Sequence, residues 1–301
     1  MIPFVQDHKV EYGRRYEVSP LIQRVVANNP GPFTYTGTGT YIVGRDAPGA
    51  EVAVIDPGPP DEAHLEAILA AVGARRVSHI LVTHTHRDHS PLARPLAERT
   101  GAPVLAARPP AAVTHASGPL DEDEDDDFKP DVILTGGEFI EGDGWTIEAM
   151  ATPGHASNHL AFVLTQENAL FCGDHVMGWS TTVIAPPDGD MADYMDSLDA
   201  VIARSFATLW PTHGAPVTEP GPFLLAYKHH RLVREAQIAA RLEAGDRRIS
   251  EMVPTLYAAV DQRLWPAASL SVLAHLGKLM RDGRVVAEPG PQLNAEWRLV
   301  R

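Results

Sequence analysis

The chain has 301 residues, 44% of them hydrophobic, which is enough to bury one large core and a smaller appendage. A formal charge of −14 argues against a surface coated for nucleic acid, and no apolar run approaches membrane-spanning length. The single cysteine, Cys172, excludes an internal disulfide, and Met1 to Val18 does not read as a secretion signal, so the cytoplasm is the expected location.

Strands are expected near Phe33 to Val43 and over Glu51 to Ile55, with a helix over Asp61 to Val72. Val77 to Val82 reads as a short buried strand leading into Thr83-His84-Thr85-His86-Arg87-Asp88-His89, and a helix starts near Ser90 and Pro91 and runs through Arg99. Side chains at the C-terminal end of such a strand point into the crevice where ligands collect. His84 and His86, two apart in extended chain, project to the same side, so one ion can take both. Asp88 and His89 lie past the turn and can face a second. Imidazole and carboxylate suit zinc, and also iron or manganese where carboxylate and water share the shell.

Asp121 to Asp127 carries seven like charges and is expected to be a solvated loop, without the glycine and alternating spacing of a calcium site. Strands follow near Val132, Trp145, Leu160 and Ala169, then a helix from Met191 to Arg204. Thr152-Pro153-Gly154-His155, Gly173-Asp174-His175 and Pro211-Thr212-His213-Gly214 each set a His or Asp just beyond a strand end, with Gly or Pro beside it to turn the chain. Cys172 is expected to be a small apolar filler. The alternation implies two sheets packed face to face with helices outside, a four-layer αβ/βα sandwich over residues 1–220.

A connecting helix occupies residues 221–245, with its amphipathic stretch from Gly221 to Ala244. Residues 246–301 then read as helices over Ile249 to Val260 and Ala268 to Asp282 and a hairpin of Arg284 to Glu288 with Glu296 to Val300, the outline of a winged helix. This module has eight Lys or Arg against six Asp or Glu, too mild a surplus for a DNA-binding surface. A lid over the cleft or a homodimer contact is the expectation instead.

HTHRDH, TPGH, GDH and PTHG together resemble the metallo-beta-lactamase superfamily, and each of its motifs is matched without substitution. The resemblance implies that His84, His86 and His155 bind one metal ion, that Asp88, His89 and His213 bind a second, and that Asp174 bridges both. Gly39-Thr40-Tyr41-Ile42-Val43-Gly44, Val54-Ile55-Asp56-Pro57-Gly58 and His230-Arg231-Leu232-Val233-Arg234-Glu235 resemble the lactamase-beta-like protein 2 branch, whose animal members are endoribonucleases. The expected cofactors are two divalent ions, Zn2+ first and Mn or Fe as alternatives, which make a hydroxide nucleophile from water. Asp88 and Asp174 are the expected catalytic residues, the first orienting that hydroxide and accepting its proton and the second fixing the metal separation. Asp56 and His159 are expected to support backbone or ligands from behind. Tyr194, Lys228, His229, His230 and Arg231 are near enough to reach the cleft, with packing or solvation as the plainer expectation. Single-stranded RNA is the lead substrate, a small thioester, ester or lactone the second, on motifs shared with glyoxalase II, and an iron-binding redox or sensing module the third.

Overall fold

The computed structural model describes residues 2–110 and 124–300. The first sheet has seven strands in chain order: β1 (Arg15–Glu17), β2 (Ile22–Val26), β3 (Gly39–Val43), β4 (Glu51–Ile55), β5 (Arg76–Leu81), β6 (Val104–Ala106) and β7 (Val132–Ile133). The early strands pair antiparallel; from β4 onward they pair parallel, so crossovers are required. Helices α1 (Glu62–Val72) and α2 (Ala93–Thr100) supply the first two. Asp61 caps α1 by accepting from the Ala63 amide, and Gly73 ends it in a positive-φ turn.

The second sheet has five strands, β8 (Phe139–Gly142), β9 (Trp145–Ala151), β10 (Leu160–Leu164), β11 (Ala169–Gly173) and β12 (Thr208–Pro211), in the order β12-β11-β10-β9-β8. Helix α3 (Met191–Arg204) crosses between the parallel β11 and β12. Three apolar layers result. Leu65, Ile68 and Leu96 pack α1 and α2 on one outer face, and Tyr41, Trp145, Phe162 and Phe171 fill the space between the sheets. Tyr194, Leu198, Phe223 and Tyr227 pack α3 and α4 (Pro220–Glu243) on the other outer face. This is the four-layer sandwich expected, and burying each large side chain contributes about 1.5–3 kcal/mol.

Helix α4 belongs to two cores. Its first half lies in the sandwich, while Ile238 and Leu242 enter a fourth cluster with α5 (Ile249–Leu256), α6 (Trp265–Arg281) and the hairpin β13 (Val285–Glu288) and β14 (Glu296–Leu299). Trp297 is fully buried there. Arg281 of α6 pairs with Asp190 and Asp193 at the start of α3, at 2.8 and 2.7 Å.

Several expectations change. The strand expected from Phe33 begins only at Gly39, because Gly31 and Tyr35 exchange backbone hydrogen bonds and close a turn that contains Pro32. The helix from Ile249 stops at Leu256, where the Tyr257 amide closes on the Val253 carbonyl at 2.9 Å and the Tyr257 backbone leaves the helical region. Asp121, Glu122 and Asp123 lie outside the described residues; Asp126 and Asp127 are exposed, as expected of a solvated loop, but Glu124 and Asp125 are tied down beside His86. The Asp125 amide donates to the Thr85 carbonyl at 2.7 Å, Ser90 donates to the Asp125 carboxylate at 2.8 Å, and Glu124 forms an isolated bridge with His86. Thr85 and Ser90 flank the turn at His86, so the Glu124 and Asp125 side chains find partners there, while Asp126 and Asp127 stay in solvent. Among the described residues, no helix is long and apolar enough to cross a membrane.

Candidate metal centre

Where β5 ends, Thr83 anchors the chain: its amide and hydroxyl both donate to the Asp56 carboxylate at 2.8 Å. Asp56 sits just past β4 at φ 49° and also takes the Thr212 hydroxyl at 3.0 Å. One carboxylate therefore joins the first sheet to the connection carrying His213. Beyond Thr83 the chain turns at His86, whose carbonyl accepts from the His89 amide, so His84, His86 and His89 are buried while Arg87 is exposed.

The second sheet brings the other half. Gly154 has φ 135° and a Cβ there would meet the Tyr194 backbone at 2.3 Å, so only glycine lets the His155 loop lie on the start of α3. Gly173 has φ 51° and a Cβ would reach His159 Nε2 at 2.5 Å, which places Asp174 directly against the first sheet's loop. Arg24, buried on β2, donates to the Thr212 and Gly214 carbonyls at 2.9 and 2.7 Å and pins the turn that presents His213.

All seven residues singled out in the sequence converge. His86 Nδ1 is 2.9 Å from His84 Nε2 and 3.2 Å from His155 Nε2. Three nitrogens around a tetrahedral ion with bonds of about 2.0–2.1 Å would stand roughly 3.3 Å apart. On the other side Asp88 Oδ2 is 3.0 Å from His213 Nε2 and 3.3 Å from His89 Nε2. Asp174 lies between the two groups, at 3.4 Å from His213 Nε2, 3.6 Å from His89 Nε2 and 3.9 Å from His155 Nε2. Donor atoms of His84, His86 and His155, of His84, His89 and Asp174, and of Asp88, His89 and His213 form three groups, each within 4.8 Å.

The donor set fits metal ions. His89 Nε2 and Asp174 Oδ1 are buried without a hydrogen-bond partner, an expensive condition that a cation would relieve. The far ring nitrogens meet outward acceptors: His89 Nδ1 meets Asp56 at 2.9 Å, His155 Nδ1 the Val183 carbonyl at 2.7 Å and His213 Nδ1 the Gly37 carbonyl at 3.3 Å. Such bonds leave the inner nitrogen free to ligate. Burial, then neighbouring imidazoles, keep His84 well below its ordinary range, and burial with His86 lowers His155 to about 4. These rings are neutral at pH 7, as ligands must be. At His213 burial opposes protonation, but Asp174 and Asp88 prevail and raise the ring to about 10. His89 is raised likewise by Asp88, Asp174 and Asp56 against its burial. That half of the centre demands positive charge, and an ion binding there displaces protons.

Asp56 and His159 take the supporting positions expected. His159 contacts the Thr152 hydroxyl at 2.8 Å through Nδ1 and accepts from the Asp174 amide at 3.2 Å through Nε2. Two supports escape sequence reasoning. Arg24 has no signal beyond an arginine inside an apolar run. Glu124, which accepts from the Thr85 hydroxyl at 2.6 Å and stands 3.6 Å from His86 Nε2, hides in the acidic tract. Tyr194 and Arg231 are buried packing residues, Lys228 pairs with Asp199, His229 faces solvent, and none of them or His230 lines the cleft. Cys172 is buried and its thiol pushed up by that burial, consistent with a filler.

The cleft beside the centre is about 250 Å³ and is lined by Asn29 to Thr34 opposite Arg87, Asp88, Asp174 and His213. No residue of the C-terminal module lines it, so the lid expected there is instead a buttress for α3.

The metallo-beta-lactamase superfamily profile matches residues 37–213, and that of the beta-lactamase associated winged helix domain matches residues 249–297. The chain belongs to the metallo-beta-lactamase superfamily, made up in the main of hydrolases, and carries the associated winged helix. Within it, the chain is similar to the Beta-lactamase-like protein 2 homolog of Caenorhabditis elegans, 30% identical over 91% of this chain and 88% of that one. It is also 30% identical to the Atrochrysone carboxyl ACP thioesterase of Aspergillus chevalieri, over 81% of this chain and 76% of that one. A beta-lactamase domain protein from Burkholderia ambifaria has the same fold, with a TM-score of 0.79 at 21% identity over 99% of this chain and 97% of that one.

Proposed function

We propose that the chain is a dinuclear metal-dependent hydrolase of small acyl thioesters or esters. The observation that carries this reading is the convergence of the seven residues beside a cleft of about 250 Å³, below the roughly 300–1,000 Å³ of drug-sized ligand sites. His84, His86 and His155 would hold one ion, Asp88, His89 and His213 the other, with Asp174 facing both. Zn2+ suits this donor set best. Bound there, two divalent ions supply Lewis acidity that brings a water's pKa to roughly 7 and stabilises charge developing on a carbonyl oxygen. Asp88, the most solvent-accessible of these carboxylates, orients the attacking water and accepts its proton. The water oxygen bonds to the acyl carbon, the carbon–sulfur or carbon–oxygen bond breaks, and the proton leaves with the thiol or alcohol.

The thioesterase relative supports an acyl substrate. The RNA reading has less behind it: among the described residues Arg87 is the one Lys or Arg lining the cleft, whereas a single-strand groove needs a basic track with stacking aromatics. The test is one metal-loaded preparation, its ion content measured by elemental analysis, assayed on thioesters, esters, lactones and single-stranded RNA. Turnover of an acyl substrate that a chelator abolishes and added zinc restores is the expected result. Cleavage of RNA with no acyl turnover would overturn the substrate assignment, and one ion or fewer per active chain would overturn the dinuclear one.

A further inference from the structure

Arg87 is held between two site residues, and the turn at His86 sends its side chain outward into the cleft wall while His86 and His89 are buried and Asp88 is half-buried. Among the described residues it makes no hydrogen bond or ion pair. Among the described arginines only Arg108 shares that condition, in a chain with 39 acidic residues against 25 basic ones. A guanidinium left unpaired amid such an excess of carboxylates, at the mouth of a cleft, is available to a ligand's anion and suits it by charge and by its fork of donors.

The facing wall is built to receive something apolar. Pro30, Pro32 and Phe33 line it, and the backbone beneath is fixed. Thr34 donates to the Asn29 carbonyl at 2.6 Å, the Thr38 amide donates to the Asn29 side chain at 2.9 Å, and Tyr35 stacks on Trp179 with centroids 4.7 Å apart. The wall is therefore preformed, and a ligand loses little by ordering it.

We infer that Arg87 is the anion-recognition residue of this cleft and that the substrate is a short acyl thioester or ester bearing a carboxylate or phosphate. The anion sits on the guanidinium, the apolar chain lies along Pro30, Pro32 and Phe33, and the scissile carbonyl faces Asp88, Asp174 and His213. This rests on the hydrolase reading above. It adds a substrate charge that the site residues alone do not specify.

The test uses full-length zinc-loaded protein and three thiols: 3-mercaptopropionate, 2-mercaptoethyl phosphate and uncharged 3-mercaptopropanamide. Binding is measured by calorimetry, with metal content determined in each variant. The native protein is expected to bind at least one anionic thiol about tenfold or more tightly than the amide, and which one identifies the anion. Arg87→Met should bring that ratio to within about twofold with two ions retained, and Arg87→Lys should recover part of it. Equal weakening of all three thiols, an unchanged ratio, or loss of metal in Arg87→Met would overturn the assignment. If no thiol binds native protein whose zinc loading is confirmed, or if the protein fails to load, the hydrolase reading itself fails.

Discussion

Glu124 shows how much of a metal centre lies behind its ligands. Its carboxylate faces His86 Nε2 while His86 Nδ1 faces His84 and His155. Carboxylate partners of this kind raise ligand basicity and fix ring orientation, and their loss typically costs 10–100-fold in metal affinity. Glu124→Gln is expected to weaken metal binding about tenfold in chelator competition with circular dichroism unchanged; native affinity in the variant would remove Glu124 from the centre. His86→Ala and Asp174→Ala should each abolish hydrolysis together with metal loss and leave the fold intact, since these residues lie on loops beyond the strand ends. Near-native turnover in either would rule out its assigned role. His64 offers a separate handle. Burial lowers it from 6.5 to about 4, so the unfolded chain protonates first as pH falls. The stability it contributes is complete above pH 6.5 and is lost as pH falls toward 4, on the order of 3 kcal/mol at most. Urea denaturation of His64→Gln should show a shallower loss over that window than the native chain does. The seven converging residues were legible because their motifs are local. Glu124 was not, because its partner is fixed by tertiary packing that like charges in a row do not announce.

At the scale of elements, the sequence located α1, α3 and α4 to within a residue and α6 to within three at its start. Strands β1 and β2 left no such trace. Gln23 and Arg24 interrupt the apolar pattern of β2, yet both are buried, Gln23 by accepting from Arg75 at 2.5 Å and Arg24 by its carbonyl partners. A polar residue buried by a distant partner looks like an exposed one until the partner is known. Helix α4 makes the sandwich and the winged helix depend on each other, since removing the module would bare Ile238 and Leu242. Trp297→Ala, which empties the centre of the module, should cost about 3–5 kcal/mol in thermal or chemical unfolding. Metal content should stay unchanged at 25 °C, because every ligand precedes Gly214. Loss of metal in the folded variant would mean that the buttress on α3 reaches the centre.

At the scale of the whole molecule, the seven donors come from both sheets, so an ion bound among them would be part of the fold. Binding that favours the native state stabilises it by about 4 kcal/mol for each site at a free-ion concentration 1,000 times its Kd. Chelation should therefore lower the melting temperature by several degrees, and zinc should restore it. A melting temperature indifferent to chelator would show that the centre forms no link between the halves. The division of donors between the two sheets also gives the site an order in time. His84, His86, Asp88 and His89 leave the ribosome as one cluster, while His155, Asp174 and His213 follow at about 5–20 residues per second. For several seconds the nascent chain displays three imidazoles with no partner sheet to confine them. Metal met during synthesis therefore finds a partial donor set first, and the complete one only when the last donor arrives.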